Sequence, residues 1–475
     1  MRKFVLISVA TVALLGVPSV ALAADGGISI PPGFKVTERE ALAPGLVHYR
    51  LIARDPATVV NVAWQAVGAS GELRVVLSNE AIAGYTPQAE QTSDMCKRIA
   101  CLMAVNGDFF AGEGQPVGAV LSDGRLMRSP NPKHHQLSRS ADGTLETGSL
   151  SWRGTVVPTD LQPLELDGVN VTREADGLVL YTPSFGPTTG TNAFGVELVL
   201  SVVRPEGPIR VGQTTVVGMT ELHRAGDTSI PHEGAVLSGH GRGAQALIAL
   251  WDRLQASEVS PEALLRLDVK PKATDSIGGS PILVRDGRRW FADEDRELYR
   301  LRHPRTIAGW NNAGDLLLVT VDGRQPGYSL GMTMVEAAQL MIDLGAEEAI
   351  NLDGGGSTTF VVGGSVVNRP SDRMVRRGDG TEVVAIARSS DEVIGSVERP
   401  VAVALAIVGP GSTSPIAPML ETANLSIPLS SGSSISRPTL VLGPDVARQD
   451  TGPILLTLMT VSAGAVAVRR RKLAA

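Results

Sequence analysis

Residues suited to binding a transition metal are scarce in this chain. Its 475 residues include two cysteines, Cys96 and Cys101, and seven histidines that form neither a His-x-x-x-His nor a His-Glu-x-x-His pattern. A single Cys-x4-Cys pair lacks the second ligand pair of a structural zinc site, so we expect these cysteines to form a disulfide in an oxidising compartment. The sequence requires no cofactor, although calcium or magnesium on the aspartate-rich loops remains an alternative.

Positive charge is also scarce in the body of the chain. The net charge is −6, and the two chain ends carry six basic residues and no acidic ones, so the part between them has a net charge of about −12. Proteins that bind nucleic acid capture its phosphates with clustered Lys and Arg. We therefore expect no nucleic-acid partner.

The N-terminus has the layout of a secretory signal peptide. Arg2 and Lys3 precede an apolar run from Phe4 to Val20, and Ala21-Leu22-Ala23 supplies a small-x-small cleavage site. The pattern predicts a signal peptide over residues 1–23, which is removed on export. A retained N-terminal anchor is the alternative.

The C-terminus has a second apolar run, Pro453 to Val468, followed at once by Arg469-Arg-Arg-Lys472. Such a helix spans about 24 Å against a hydrocarbon core of about 30 Å, and snorkelling basic side chains can close part of the difference. The pattern predicts a transmembrane anchor over 453–468 and a cytoplasmic tail over 469–475, with the bulk of the chain at the cell surface. A cell-wall sorting signal is the alternative, but its opening Leu-Pro is missing.

The remaining sequence divides into three parts. Residues 24–43 are predicted to be a mobile leader, 44–408 a folded domain, and 409–452 a Ser/Pro/Gly-rich stalk. Strands are predicted at Val47–Ile52, Val59–Trp64, Leu73–Leu77 and Ala100–Val105, and short strands and turns across 140–235. The 43% of apolar residues can form a sizeable core. We predict an α+β fold class, with mixed, largely antiparallel sheets and a few helices in one large domain or two lobes.

Two segments have the apolar spacing of helices, residues 244–256 and residues 333–344. In the second, Thr333 and Glu336 can form a capping box, and Gly345 can end the helix. Glu336 is therefore expected to be a helix cap rather than a catalytic group.

The segment Asn351-Leu-Asp-Gly-Gly-Gly-Ser357 is the leading candidate for chemistry. Three consecutive glycines are costly in conformational entropy, which indicates that backbone without side chains is needed there. Free amides in such a turn can bind an anion, with the Asp353 carboxylate and the Ser357 and Thr358 hydroxyls around it. A tight strand connection is the alternative.

Other polar clusters also stand at predicted strand ends, where loops gather into sites. Asn106 and Asp108 follow one apolar strand, Arg305 and Thr306 precede another, and Asp322 ends a third. A hairpin turn at Asp322-Gly323 and a surface ion pair at Arg305 are the alternatives.

Together these motifs resemble the signature of the phosphodiester glycosidase family, and the resemblance covers residues 44–408. The main pieces are His303-Pro-Arg-Thr306, Asp322-Gly323, Gly331-Met-Thr333 and the triple-glycine segment. Shorter turns match in order along the chain at Asn106–Phe110, Val236–Gly241, Gly278–Leu283, Asn368–Asp372 and Glu398–Val401. Residues 373–397 look like an insertion between the last two.

The resemblance implies hydrolysis of a sugar-1-phosphodiester to free sugar and phosphomonoester, with a sugar-phosphate glycan as substrate. Glycosidic centres use paired carboxylates, here assigned to Asp353 and Asp322. Phosphate and sugar oxygens are assigned to ten further residues: Asn106, Asp108, Arg305, Thr306, Asn351, Gly354, Gly355, Gly356, Ser357 and Thr358. Two other functions stay open, a non-catalytic surface protein that binds cell-wall polysaccharide and a phosphodiesterase that cuts the P–O bond.

Overall fold

The computed structural model describes residues 27–82, 89–111, 114–159, 161–258, 260–291, 296–377, 382–385 and 392–410. These residues form a β-rich α+β domain with few helices. Both the predicted signal peptide and the predicted stalk, anchor and tail lie outside the described residues, apart from the first two residues of the stalk. No helix in the described ranges is long and apolar enough to cross a membrane.

The elements of the described residues are numbered in chain order. The strands are β1 (Lys35–Ala43), β2 (Leu46–Arg54), β3 (Ala57–Gln65), β4 (Glu72–Leu77), β5 (Glu90–Gln91), β6 (Cys101–Asn106), β7 (Val120–Ser122), β8 (Arg125–Arg128), β9 (His135–Arg139), β10 (Leu145–Gly148), β11 (Ser151–Pro158), β12 (Leu164–Glu165), β13 (Gly168–Val169), β14 (Leu178–Tyr181), β15 (Val196–Arg204), β16 (Thr214–His223), β17 (Gly234–Gly239), β18 (Glu262–Lys270), β19 (Asp275–Gly279), β20 (Ile282–Arg285), β21 (Arg288–Arg289), β22 (Arg305–Asn311), β23 (Leu316–Val321), β24 (Ala346–Asn351), β25 (Phe360–Val362), β26 (Ser365–Val366), β27 (Asp372–Arg376), β28 (Glu382–Ala385), β29 (Glu392–Val397), β30 (Pro400–Val401) and β31 (Val403–Val408). The helices are α1 (Thr92–Arg98), α2 (Arg242–Gln255), α3 (Glu297–Arg300) and α4 (Met334–Asp343), with single 3-10 turns at Ser78–Glu80 and Gly355–Ser357.

Two sheets form the centre of the domain. An eight-stranded sheet has the order β1-β2-β3-β23-β22-β24-β20-β21, and a five-stranded sheet has the order β26-β25-β6-β31-β4. Leu318, Ile350, Met103 and Leu405 belong to one buried cluster that joins the two sheets. Burial of both faces explains the near-continuous apolar sequences of β3 and β23.

Helix α4 covers the other face of the eight-stranded sheet. Ala337 and Met341 on its apolar side belong to one buried cluster with Val60 and Val319 of the sheet. Thr333 caps the helix and forms a complete capping box with Glu336, and Gly345 follows with a φ of 96°. The predicted helix and its cap are confirmed.

A second eight-stranded sheet, β12-β11-β18-β16-β15-β17-β14-β13, forms its own buried cluster with α2. A five-stranded sheet, β10-β9-β19-β7-β8, lies between the two regions, since Val120 and Ile277 belong to the first cluster and Leu121 to the second. Strands β27, β28 and β29 pair only with one another among the described elements, as expected for an insertion.

The leader prediction was wrong for residues 35–43, which form strand β1. This strand pairs antiparallel with β2 through a tight turn at Gly45, which has a φ of 73°. Seven of its nine side chains are exposed. An edge strand with polar side chains lacks the apolar alternation from which strands are recognised in sequence.

The predicted disulfide is confirmed. Cys96 in α1 is bonded to Cys101 in β6, with Cα atoms 4.9 Å apart. Both residues are buried among apolar side chains, including Met95 and Val408. The bond therefore fixes α1 to the strand that leads toward Asp108.

Candidate active site

The ends of several strands meet at one edge of the two central sheets. Asn351, the last residue of β24, pairs with Ile307 near the start of β22. Asp353 follows two residues later, and its backbone N–H donates to the Gly107 carbonyl at 2.9 Å. This bond brings the segment after β24 against the segment after β6, and so places Asp353 beside Asp108.

A buried asparagine holds these segments together. The Asn106 amide donates to the Asp353 carbonyl at 2.6 Å, and its oxygen accepts from the Thr306 hydroxyl at 2.7 Å and the Thr359 N–H at 3.1 Å. The Thr358 hydroxyl lies 3.5 Å from that of Thr306. Asn106, Thr306 and Thr358 thus lie together as predicted, but their contacts stabilise the protein rather than leaving them open to a ligand.

Asp353 has a carboxyl group whose environment disfavours its charge. Burial and, to a smaller extent, the nearby charge of Asp108 raise the pKa to about 6, against opposing contributions from the Ser357 hydroxyl, Arg399 and the Gly354 amide. Half of the Asp353 side chains therefore carry a proton near pH 6. A carboxyl with a pKa in this range can donate or accept a proton near neutral pH.

Asp108 is the carboxylate that the fold places next to it. One oxygen accepts from the Gly118 N–H at 2.6 Å, and the other lies 3.0 Å from Nε2 of His134. Gly278 in β19 leaves the necessary room, because a Cβ there would lie 2.5 Å from both Cγ and Oδ1 of Asp108. The site therefore contains a carboxylate pair formed by Asp353 and Asp108.

The triple-glycine turn admits two arginine side chains. Gly355 has a φ of 63°, and a Cβ there would lie 3.1 Å from Nη2 of Arg324. A Cβ on Gly356 would overlap Nη2 of Arg399 and Oδ1 of Asp372. The glycines are thus needed because guanidinium groups pack directly on the backbone.

The amides of this turn do not form the row of free donors that the sequence predicted. The Gly355 N–H donates to the Pro304 carbonyl at 3.0 Å, and the Gly354 N–H bonds to the carboxylate of Asp353. The donors available to an anion are therefore mainly guanidinium groups.

Both arginines are held in place by neighbouring side chains. Arg399 binds Asp372 through two hydrogen bonds of 2.9 and 3.1 Å, and its third nitrogen lies 3.5 Å from the Ser357 hydroxyl. Arg324 is exposed, has a φ of 58°, and donates to Nδ1 of His303 at 3.3 Å. Burial and the two charges of Arg324 and Arg305 lower the pKa of His303 to about 4, so this ring is neutral and can accept at neutral pH.

Asp322 does not join this group. Its carboxylate accepts from the Tyr328 hydroxyl at 2.9 Å, the Asn368 amide at 2.9 Å and the Arg369 N–H at 3.1 Å. None of its hydrogen bonds to the described residues reaches Asp353. The sequence assigned Asp322 to the catalytic pair, whereas the structure places it under the loop at Asn368, where it fixes the segment after β26.

Arg305 and Asn351 also point toward protein groups. Arg305 donates to the carbonyls of Met332, Leu298 and Leu301 at 2.9 to 3.1 Å, and burial lowers its pKa to about 10. The Asn351 amide donates to the carbonyls of Ser280 and Leu352 at 2.8 Å. Nε and Nη2 of Arg305 are thus committed to holding the segment before β22, rather than facing a ligand as the sequence predicted.

Sequence reasoning missed Arg324, Arg399, Asp372 and the two histidines as members of the site. Arg324 and Arg399 stood inside motifs already noted, Asp322-Gly-Arg and Glu398-Arg-Pro, but nothing in the local pattern says where their side chains point. His134 contacts a carboxylate 26 positions earlier in the chain, a pairing that sequence spacing does not reveal. Across the described ranges, no three His, Cys, Asp or Glu side chains group as metal ligands would.

Comparison with known proteins fits this arrangement. Residues 209–386 match the family model described as phosphodiester glycosidase. This segment is similar to the phosphodiester glycosidase family. It contains Arg324, Asp353 and Asp372, whereas Asp108 and Arg399 lie on either side of the matched phosphodiester glycosidase segment.

The curated relatives are matched over part of their length. N-acetylglucosamine-1-phosphodiester alpha-N-acetylglucosaminidase of Homo sapiens is 40% identical over 205 residues, which cover 36% of this chain and 39% of that protein. The Bos taurus protein of the same name is 41% identical over 68 residues, 14% of this chain and 12% of that protein. The chain thus spans less than half the length of these relatives.

A solved structure shares the fold over a larger part of the chain. The crystal structure of a Burkholderia pseudomallei K96243 protein aligns with a TM-score of 0.55 at 19% identity, covering 81% of this chain and 98% of that one. The architecture around the phosphodiester glycosidase segment therefore extends beyond residues 209–386.

Proposed function

We propose that this protein hydrolyses a sugar-1-phosphodiester at the bond between the anomeric carbon and oxygen, releasing the free sugar and a phosphomonoester. The observation that carries the proposal is one buried carboxyl, Asp353, which lies near enough to a second carboxylate, Asp108, and to the guanidinium groups of Arg324 and Arg399 to feel their charges. The family match and the names of the relatives support the same reaction class.

The two arginines supply the phosphate end of the site. Guanidinium groups bind phosphate oxygens in a fixed geometry with strong, charge-assisted hydrogen bonds. When the glycosidic bond breaks, negative charge grows on the phosphate that leaves. Arg324 and Arg399 would stabilise that charge, and their fixed position means that little reorganisation is needed during the reaction.

The two carboxyl groups supply the sugar end. Glycoside hydrolysis uses one carboxyl to move a proton and a second to attack or activate water. Asp353, with its pKa of about 6, is suited to the proton transfer. Asp108, oriented by Gly118 and His134, takes the second role in place of Asp322.

The location and the natural substrate are part of the proposal. The N-terminal pattern supports export, and the C-terminal pattern supports a membrane anchor with the domain outside. A phosphate-linked glycan of the cell envelope is the substrate class that such a location would offer.

The proposal is tested with a panel of sugar-1-phosphodiesters hydrolysed in oxygen-18 water. Phosphate oxygens do not exchange with water under these conditions, so the mass of the phosphomonoester product reports which bond breaks. An unlabelled phosphomonoester is expected. A labelled one would mean P–O cleavage, and absence of turnover on every member of the panel would favour a binding protein.

Single substitutions then test which carboxyl groups take part in catalysis. Asp353→Asn and Asp108→Asn are each expected to lower kcat by at least 10³-fold, the scale of losing an acid/base or nucleophilic group. Asp322→Asn should lower kcat only as far as it disturbs folding. Asp252→Asn, on the exposed face of α2, is the matched control and should leave kcat and KM unchanged.

A further inference from the structure

A surface cleft is lined in part by the loop that leads to His134. This cleft of about 700 Å³ is lined by Trp152, Leu150, Pro130, Pro132, Pro271 and Lys270. Ligand clefts in proteins have volumes of about 300–1,000 Å³ and combine apolar walls with a few polar groups. The cleft has the size and the lining of such a site.

The cleft is connected to the carboxylate pair by a short stretch of chain. Pro130 and Pro132 line it, and His134, two residues further on, contacts Asp108 at 3.0 Å. Two residues of extended chain span at most about 7 Å. A ligand in the cleft therefore lies next to the loop that forms one wall of the active site.

Lysine is concentrated at this cleft. The whole chain has seven lysines against 36 arginines, and three of the seven, Lys133, Lys270 and Lys272, lie in or directly beside the residues that line it. All three are exposed, and none forms an ion pair with any residue that the structure describes. In a chain whose net charge is negative, this is a local concentration of uncompensated positive charge.

Acidic residues on the adjacent strands do not neutralise these lysines. Asp268 binds Arg266 at 2.7 Å, and Glu165 binds Arg153 at 2.5 Å. The cleft thus combines a half-buried indole ring, proline surfaces and free ammonium groups. An aromatic ring offers a flat apolar face to a sugar ring, and ammonium groups attract phosphate.

We propose that the Trp152 cleft is a secondary binding site for an anionic phosphoglycan, the part of a polymeric substrate that lies beyond the bond being cleaved. Trp152 contacts a sugar ring, and Lys133, Lys270 and Lys272 contact phosphate groups of the polymer. The ligand class rests on the proposed function, but binding at the cleft does not require turnover. The site makes the protein selective for a polymer over a small sugar phosphodiester.

Binding is measured on the full chain carrying Asp353→Asn, so that the probe is not consumed. The probe is an oligomer of phosphodiester-linked hexoses, compared with an unphosphorylated oligosaccharide of the same length and with inorganic polyphosphate. The triple variant Lys133→Gln/Lys270→Gln/Lys272→Gln should lower affinity for the probe at least tenfold at low salt, as should Trp152→Ala. Lys35→Gln, on exposed strand β1, is the matched control and should have no effect.

Trp152 also packs partly against the core, so Trp152→Ala could fail to fold. In that case the lysine variant alone tests the proposal. Equal affinity of the lysine variant and the control overturns the proposal, as does no binding of the probe. Polyphosphate binding as tightly as the phosphoglycan would show charge attraction alone and also overturns it.

Turnover separates this proposal from the proposed function. With Asp353 restored, the lysine variant should raise KM for the phosphoglycan at least tenfold and leave the kinetics of a small sugar-1-phosphodiester unchanged. If no small phosphodiester is hydrolysed, the proposed function fails while the binding result stands. A parallel loss on both substrates would place these lysines in the active site and overturn a separate cleft.

Discussion

The surroundings of Asp353 oppose the ionisation of its carboxyl group. Burial raises its pKa from 3.8 to about 6, so the folded state binds a proton more tightly than the unfolded chain does. Well below pH 3.8 the group is neutral in both states, and no stability is lost. Stability falls as pH rises from 4 to 6, and above pH 6 the full cost remains, about 3 kcal/mol for a shift of about two units.

The first prediction follows from the destabilising effect of the ionised Asp353 carboxylate at high pH. Asp353→Asn should increase the free energy of unfolding by about 2–3 kcal/mol at pH 8 and leave it nearly unchanged at pH 4, while abolishing turnover. Urea denaturation at both pH values measures the difference. A destabilised variant at pH 8 would mean that the carboxylate's contacts with Ser357 and Arg399 outweigh its burial.

Arg399 provides the second prediction. Lysine would keep the positive charge but lose the two-point contact with Asp372, so Arg399→Lys should lower kcat/KM by about 10- to 100-fold without changing the fold. Steady-state kinetics test this, with circular dichroism as the check on folding. Wild-type kinetics of the Arg399→Lys variant would mean that Arg399 does not contact the substrate.

The sequence predicts some of the site residues but not others. Asp353 could be predicted, because three glycines after a carboxylate are a strong local signal. Asp108 and Asp322 could not be ranked, since both follow an apolar strand and precede a turn. Only the fold decides that Asp108 faces Asp353 while Asp322 faces Asn368.

The triple-glycine turn is the element on which the site depends. Gly356→Ala should displace the Arg399–Asp372 pair, because the new Cβ would occupy the position of both side-chain ends. Activity should fall at least tenfold with a small change in stability, since flexible side-chain ends can move aside. Gly395→Ala is the matched control, as no atom of the described residues lies within 4 Å of a Cβ there; equal activity of the two variants would contradict this account.

The α1–β6 connection carries the disulfide. It closes a short loop, and the chain-entropy account gives about 2 kcal/mol for a loop of this length. Cys96→Ala/Cys101→Ala should therefore lower the free energy of unfolding by about that amount, measured by urea denaturation. Dithiothreitol should reduce the stability of the wild-type chain to that of the double variant and leave the variant unaffected.

Elements were predictable where their periodicity is strong. Helix α4 has an apolar face, a capping box and a terminal glycine, all of which depend on neighbouring residues in the sequence. Strand β1 has none of these signals, since its pairing with β2 is made by backbone groups and its side chains face water. The order of strands in each sheet depends on distant contacts, and no local pattern encodes it.

At the scale of the whole molecule, the proposed membrane anchor can be tested by truncation. Removal of residues 453–475 is expected to shift the protein from the membrane fraction to the soluble fraction of the cell envelope. Fractionation followed by immunoblotting measures this. Replacing Arg469–Lys472 with glutamine, with the apolar run kept, tests whether positive charge sets the orientation; a soluble full-length chain would exclude the anchor.

The last described strand, β31, lies between β4 and β6, and the Gly107 N–H next to Asp108 donates to its first residue, Val403, at 2.8 Å. A ribosome therefore has to finish nearly the entire domain before this support for Asp108 exists. Nascent or prematurely terminated polypeptides would be inert. Under the proposed export and the proposed hydrolysis, activity would begin only once the chain has crossed the membrane, and sugar phosphates inside the producing cell would be spared.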